Sequence, residues 1–219
     1  MNKTNKQQIM VWDVLVRVLH WALVVSFFTG YIITEEFPLH AYSGYVIFTI
    51  VLIRILWGFV GSHYARFTSF TFGWKETIQY SMAALKMGSA KEYLSHNPLG
   101  ALMVYFLLTM ILIMSIVGML LYGIQQLEGP LEDVAPESWE EPLLLIHQVL
   151  AKILISLAGL HILGVLWASW LHRQNYILAM FTGKKSAYAR RAQRRKEGNT
   201  DSKSDNHQTI ITGNHQPSQ

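Results

Sequence analysis

An all-α integral membrane protein, a bundle of four transmembrane helices, is the fold class that this sequence predicts. Three observations predict it. The 219 residues are 51% hydrophobic and only 15% charged, whereas a water-soluble domain carries roughly 25% charge. The apolar residues gather into four long runs, at about 11–33, 41–60, 99–122 and 143–170. Each run reaches the ~20 residues that a helix needs to cross ~30 Å of hydrocarbon, and in lipid only a helix of that length satisfies its own backbone.

The first run holds Arg17 and His20 and is followed by no small-residue cleavage site. It is therefore expected to stay as helix one and not to be removed as a signal peptide. Asn97-Pro98 reads as N-cap and first residue of the third helix, and Glu141-Pro142 as the same pair for the fourth. Trp57, Tyr122, Trp139, Trp167 and Trp170 lie near run ends, where interfacial aromatics gather. Between runs two and three, Trp74, Ile78, Met82 and Leu85 recur at helical spacing, which predicts a short amphipathic helix on the membrane surface.

The loops assign an orientation. Glu35 and Glu36 follow run one, and Glu128, Glu132, Asp133, Glu137, Glu140 and Glu141 follow run three, with no Lys or Arg in either stretch. Arg66, Lys75, Lys86 and Lys91 follow run two, and Arg173, Lys184, Lys185, Arg190, Arg191, Arg194, Arg195 and Lys196 follow run four. Basic residues stay cytoplasmic, so both termini are expected inside. Three parts result: a cytoplasmic N-terminus at 1–10, a four-helix unit at 11–183, and a basic, then disordered, tail at 184–219.

The chain has no cysteine, which excludes disulfides, cysteine-ligated clusters and covalent c-type haem. Four of its nine histidines lie in or at the ends of the apolar runs: His20, His40, His147 and His161. Ionisable groups there usually face the bundle interior. His147 and His161 are 14 residues apart, which returns a helix to within ~40° of one face while advancing it ~21 Å. That face offers one imidazole per leaflet. Helix one enters from inside, so His20 falls at the depth of His161, and His40 falls at the depth of His147. Each of the two resulting pairs supplies the axial ligands of a six-coordinate haem iron. A single membrane histidine can equally serve as a hydrogen-bond partner between helices.

Other residues fit such a site. Gly30, Gly44, Gly118, Gly159 and Gly164 would let helices approach a flat ring, or one another. Arg17, Arg54 and Lys152 could pair with haem propionates or snorkel to headgroups. Arg54 is the cation assigned to the cofactor. His63, His96 and His172 read as ordinary interfacial histidines, and His207 and His215 fall in the tail.

The sequence resembles the bacterial cytochrome b561 family, which includes the cytochrome b subunits of nickel–iron hydrogenases. The resemblance runs from about residue 10 to residue 185. It is carried by Val11-Trp12-Asp13 with Arg17-Val18-Leu19-His20-Trp21, by Leu39-His40 with Gly44-Tyr45, and by Leu52-Ile53-Arg54-Ile55-Leu56-Trp57-Gly58. Gly61-Ser62, Ala65-Arg66-Phe67, His96-Asn97-Pro98-Leu99-Gly100, His147, Gly159-Leu160-His161 and Ala179-Met180-Phe181-Thr182-Gly183-Lys184 extend it. Gln148 stands where many relatives carry an acidic residue, and Ser62-His63-Tyr64 departs from the usual order, so His63 is given no role. The resemblance implies two non-covalent b haems with ligands at His20, His40, His147 and His161.

The expected function is a di-haem electron carrier between the quinone pool and a periplasmic partner, either a c-type cytochrome or a dehydrogenase or hydrogenase module. No residue is assigned a catalytic role, and no nucleotide or flavin motif is present. A self-contained quinol- or superoxide-oxidising cytochrome would need a quinone site, for which Arg54, His96 or Tyr80 are candidates. A metal permease is the alternative of another class. It suffers because ~21 Å along one helix keeps His147 and His161 from sharing an ion.

Overall fold

The four apolar runs form four long helices because each is rich in Leu, Ile, Val and Met and free of internal proline past the first turn. The computed structural model describes residues 7–34, 37–86, 93 and 95–187. Glu35, Glu36, Lys91 and everything after Ala187, including the expected disordered tail and the basic run at Arg190–Lys196, lie outside the described residues.

Helix α1 is Val14–Ile32, α2 is Phe37–Val60, α4 is Pro98–Gln126 and α5 is Glu140–His172, with the shorter α3 at Trp74–Leu85 and α6 at Tyr176–Thr182. The four long helices are each apolar and long enough to cross a membrane. They run up, down, up and down: α1 packs on α2, α2 on α4, and α4 on α5. Their outward faces carry Ile32, Phe59, Leu145 and Leu163, all more than 60% exposed. Apolar surface on that scale needs lipid around it.

Several ends differ from expectation. Helix α2 starts four residues earlier than the apolar run, so His40 sits inside its first turn. Asn97 does cap α4, its side chain accepting from the Gly100 amide at 2.7 Å, with Pro98 following. The expected pair Glu141-Pro142 does not play that part in α5. A 3-10 turn at Glu137–Trp139 leads straight into the helix, Trp139 is the cap, and Pro142 falls within the first turn. Proline is tolerated there because first-turn amides have no intrahelical acceptor.

The amphipathic segment forms α3, and it has two uses. Trp74, Ile78 and Met82 are exposed along one side, while Tyr80 and Ala84 are buried where α3 packs on α4. Past α5 the chain turns at Arg173 and Gly183, both in the left-handed region, and between them lies the unforeseen α6. Gly183 accepts from the Val11 and Trp12 amides at 2.8 and 3.1 Å, which fastens α6 to the start of α1. A Cβ at Gly183 would lie 2.5 Å from the Trp12 carbonyl, so the close approach requires glycine. Two short strands, β1 (Gln7–Met10) and β2 (Lys184–Ala187), pair with each other.

Among the described residues, two apolar clusters lie within the bundle. Val51, Ile111 and Leu154 form the central one, with Leu23, Phe27, Ile47, Ile55 and Leu107 packed against them. Val117, Leu121 and Leu143 form the second, between α4 and α5 near the 127–139 loop. The 127–139 connection marks one end of the bundle, the loop end, and residues 11 and 183 mark the other, the terminal end.

Candidate functional site

On α5, His147, Leu154 and His161 follow one another at intervals of seven residues. That interval drifts only ~20° per step, so the three form one stripe. Leu154 is 2% exposed at the centre of the middle cluster, which fixes which way the stripe faces. The histidines about two turns to either side of it are thereby turned into the bundle as well.

Each meets a histidine from another helix. His20 of α1 faces His161, with ring centres 6.4 Å apart and planes at 60°. His40 of α2 faces His147, with ring centres 5.9 Å apart and planes at 73°. All four rings are half-buried. An imidazole nitrogen binds a transition metal at ~2 Å, so two rings on opposite sides of one metal have centres roughly 6 Å apart. Both spacings fit a six-coordinate haem iron. Among the described residues no group of three or more His, Asp or Glu gathers to hold an ion. Two ligands per level suit an iron whose other four positions belong to a macrocycle, and they suit a bare-ion permease poorly.

The loop-end pair is oriented by backbone. His40 Nδ1 lies 2.8 Å from the Gly30 carbonyl. A carbonyl only accepts, so Nδ1 carries the proton and Nε2 keeps its lone pair for a metal. The reach depends on a tight α1–α2 crossing. Gly30 is buried, and a Cβ there would lie 2.5 Å from Ser43 Oγ, which itself donates to the His40 carbonyl at 2.6 Å. Across the site Gly118 of α4 makes room for the other ring: a Cβ at that position would lie 3.1 Å from His147 Cε1. Of the other glycines, Gly44, Gly159 and Gly164 have nothing within 4 Å of where a Cβ would stand. Gln148 is exposed on α5.

The terminal-end pair sits among cations and aromatic rings. Arg54 is 14 residues after His40 on α2, which carries it to the level of His20 and His161. Its guanidinium is half-buried, lies 5.4 Å from the centre of the Phe67 ring, and donates through Nη2 to the Ala65 carbonyl at 3.3 Å. Its Nη1 is buried without a hydrogen-bond partner. The other two candidate cations are less suited. Arg17 donates to the Phe181 and Asp13 carbonyls, and Lys152 is exposed. Among the described residues, the remaining buried side-chain atoms without a partner are Trp21 Nε1, Tyr45 Oη and His147 Nδ1.

Asp13 is a residue whose role the sequence did not disclose. It caps α1 by accepting from the Val16 amide at 2.8 Å, and its Oδ2 accepts from Trp57 Nε1 at 2.9 Å and from Ser62 Oγ. One carboxylate thus joins the start of α1 to the end of α2 and the loop after it. Burial alone would raise its pKa. The hydrogen bonds from Ser62, Val16 and Trp57 and the nearby Arg54 charge outweigh that and hold it below the ordinary aspartate value.

The other described histidines, His63, His96 and His172, each meet an aromatic ring. His96 lies between Trp12 and Phe70, with ring centres 4.7 and 4.5 Å away. His63 is exposed beside Tyr64, and His172 closes α5. Tyr80, the other candidate for a quinone contact, is buried and hydrogen-bonded to Asn97.

Four apolar helices with inward-facing histidines in pairs define the frame of a membrane cytochrome b. Residues 11–183 match the family described as prokaryotic cytochrome b561, and the chain belongs to that family. Membership implies b-type haem and electron transfer in a membrane. Among relatives, the probable Ni/Fe-hydrogenase B-type cytochrome subunit of Rhizobium leguminosarum bv. viciae is 23% identical over 223 aligned positions, covering 83% of this chain and 90% of that one. The protein of the same description from Azotobacter vinelandii is 28% identical over 172 positions, covering 64% and 68%. No solved structure matches.

Proposed function

We propose that the chain holds two b haems, one between His20 and His161 and one between His40 and His147, and conducts single electrons through them across a bacterial inner membrane. One observation carries this reading. The two imidazole pairs, with centres 6.4 and 5.9 Å apart, stand at two depths on either side of Leu154. His20 with His161 and His40 with His147 would each hold a haem from two sides, where it would supply a one-electron couple suited to electron transfer.

The chain's own residues set the surroundings. The helices supply apolar walls, and Leu154, Val51 and Ile111 close the space between the two levels to water. Arg54 offers a buried cation to a propionate at the terminal-end haem. His40 is held in the tautomer that leaves Nε2 free. Two stations ~21 Å apart along α5 divide the membrane crossing into shorter hops.

The charge pattern supports placing the terminal end in the cytoplasm. Arg66, Lys75, Arg173 and Lys184 lie there, while Glu128, Glu132, Asp133, Glu137 and Glu141 are exposed at the loop end. The names of the relatives point to a hydrogenase as the redox partner; in the proposed path that partner lies outside the membrane and the quinone pool is at the other terminus.

The test is a reduced-minus-oxidised spectrum with haem quantified per chain. Two haems and b-type α bands are expected. A colourless preparation from haem-replete cells, or a single haem per chain, would sink the reading.

A further inference from the structure

A haem is an apolar disc with two carboxylates at one edge, so a protein that buries it must offer hydrogen-bond donors as well as apolar walls. Buried donors without partners therefore show where such an edge goes. Arg54 Nη1 is one such atom. The indole N–H of Trp21 and the phenol O–H of Tyr45 are also buried and unpartnered. Trp21 directly follows His20, and Tyr45 lies five residues beyond His40. The central cluster between the two levels contributes no such atom.

Both rings are held in place. The Trp21 ring stacks on Phe181 of α6 with centres 4.2 Å apart and planes at 20°, and meets His20 edge-on at 5.4 Å. Tyr45 lies edge-on to Tyr122 of α4 at 6.1 Å. The space over its hydroxyl is kept by Gly129, where φ is +103° and a Cβ would come within 2.7 Å of Tyr45 Oη. An indole N–H only donates, so whatever meets Trp21 is an acceptor and not a cation.

We propose that Trp21 and Tyr45 are cofactor-binding residues. Each donates a hydrogen bond to a propionate carboxylate, Trp21 at the His20/His161 level and Tyr45 at the His40/His147 level. The proposal rests on the di-haem reading. It adds one directional donor per level, where Arg54 supplies charge to one level alone.

Trp21→Phe and Tyr45→Phe in the full-length protein test it, because each keeps an aromatic ring and removes the donor. Haem content is measured first and is expected to remain two per chain. Redox titration is then expected to show one couple lowered in each variant, since a carboxylate without its donor carries more charge and favours the ferric state. Trp21→Phe should lower the couple lost in His161→Ala, and Tyr45→Phe the couple lost in His147→Ala. In the unaltered protein, resonance Raman propionate bands should shift on transfer to deuterium oxide, which needs no variant to fold. Two haems with neither couple moved overturn the proposal and leave the di-haem reading standing. So does an equal shift of both couples in either variant, the mark of general loosening. A shift that disappears when quinone is extracted would assign the donor to a quinone carbonyl and overturn it too. Absence of haem from the unaltered protein would instead end the underlying reading.

Discussion

The two histidine pairs use the same donors in different settings. At the loop end His40 is oriented by a main-chain carbonyl, Gly118 leaves room for His147, and the nearby 127–139 loop is acidic. At the terminal end His20 and His161 lie at the level of Arg54, with Trp21 and the Asp13 junction alongside. On the proposed di-haem reading, ligand identity is held constant while charge and hydrogen bonding vary, which are the levers a protein has on a cofactor's potential. Carbonyl hydrogen bonding makes the His40 imidazole more electron-rich and favours ferric iron. A buried guanidinium favours the reduced state. The loop-end couple is expected to be the lower of the two, and redox titration of the purified protein checks the order.

The largest expected effect breaks the pairing itself. Replacing His161 with Ala should remove the same haem as replacing His20, and His147→Ala the same haem as His40→Ala, each leaving about half the absorbance. Potentiometry of the four variants identifies the couple that remains. If His20→Ala and His40→Ala left the same couple, the two levels would not be separate sites.

A smaller and one-sided effect comes from Gly118. Leucine there would place its side chain where the His147 ring stands, with the first carbon already within 3.1 Å. Selective loss of the loop-end haem is expected, with the terminal-end couple unmoved. Alanine should be milder, because the ring can give by a few tenths of an ångström.

Arg54 sharpens the comparison from the other side. Arg54→Ala should weaken the terminal-end haem by about 1.5–3 kcal/mol, the range for hydrogen bonds to charged groups, or roughly ten- to a hundredfold in affinity. Arg54→Lys keeps the charge but not the planar fork, so it should recover potential better than affinity. Haem retention on dilution into detergent measures the one, and redox titration the other.

How far the sequence could be read follows from the range of each interaction. The four spans were legible because bilayer thickness fixes their length. The paired histidines were legible because two of them share one helix, and helix geometry converts 14 residues into a face and a depth. The helix starts were less so. Glu141-Pro142 looks like a cap pair, but the 3-10 turn at Glu137–Trp139 begins the helix earlier through its own local bonds. Asp13 was seen only as part of a motif, since its partners Trp57 and Ser62 are 44 and 49 residues away. Helix α6 escaped because seven residues, Tyr176–Thr182, carry too few turns for a period to show, and its anchor on Val11 and Trp12 is a backbone contact with no side-chain signature. Trp21 and Tyr45 stood in the sequence only as members of motifs, because only a fold reveals that a donor has been left without an acceptor.

The smallest expected effect separates the two ends by pH. Asp13 belongs to the terminal end alone, and its folded-state pKa lies below the ordinary aspartate value of 3.8. Its charged form therefore contributes stability that is fully present above pH 3.8, and that contribution is lost as pH falls through the lower folded-state value. Asp13→Asn keeps the size of the side chain and removes the charge that Trp57, Ser62 and Val16 donate to. A cost of about 1–2 kcal/mol at neutral pH is expected, felt as lower thermal stability and as a small shift of the terminal-end couple only. The difference between unaltered protein and variant should stay constant from neutral pH down to about 4 and close only in stronger acid, where the native carboxyl is itself protonated. A difference that closed between pH 7 and pH 5 would mean that a histidine, and not Asp13, governs that end of the bundle.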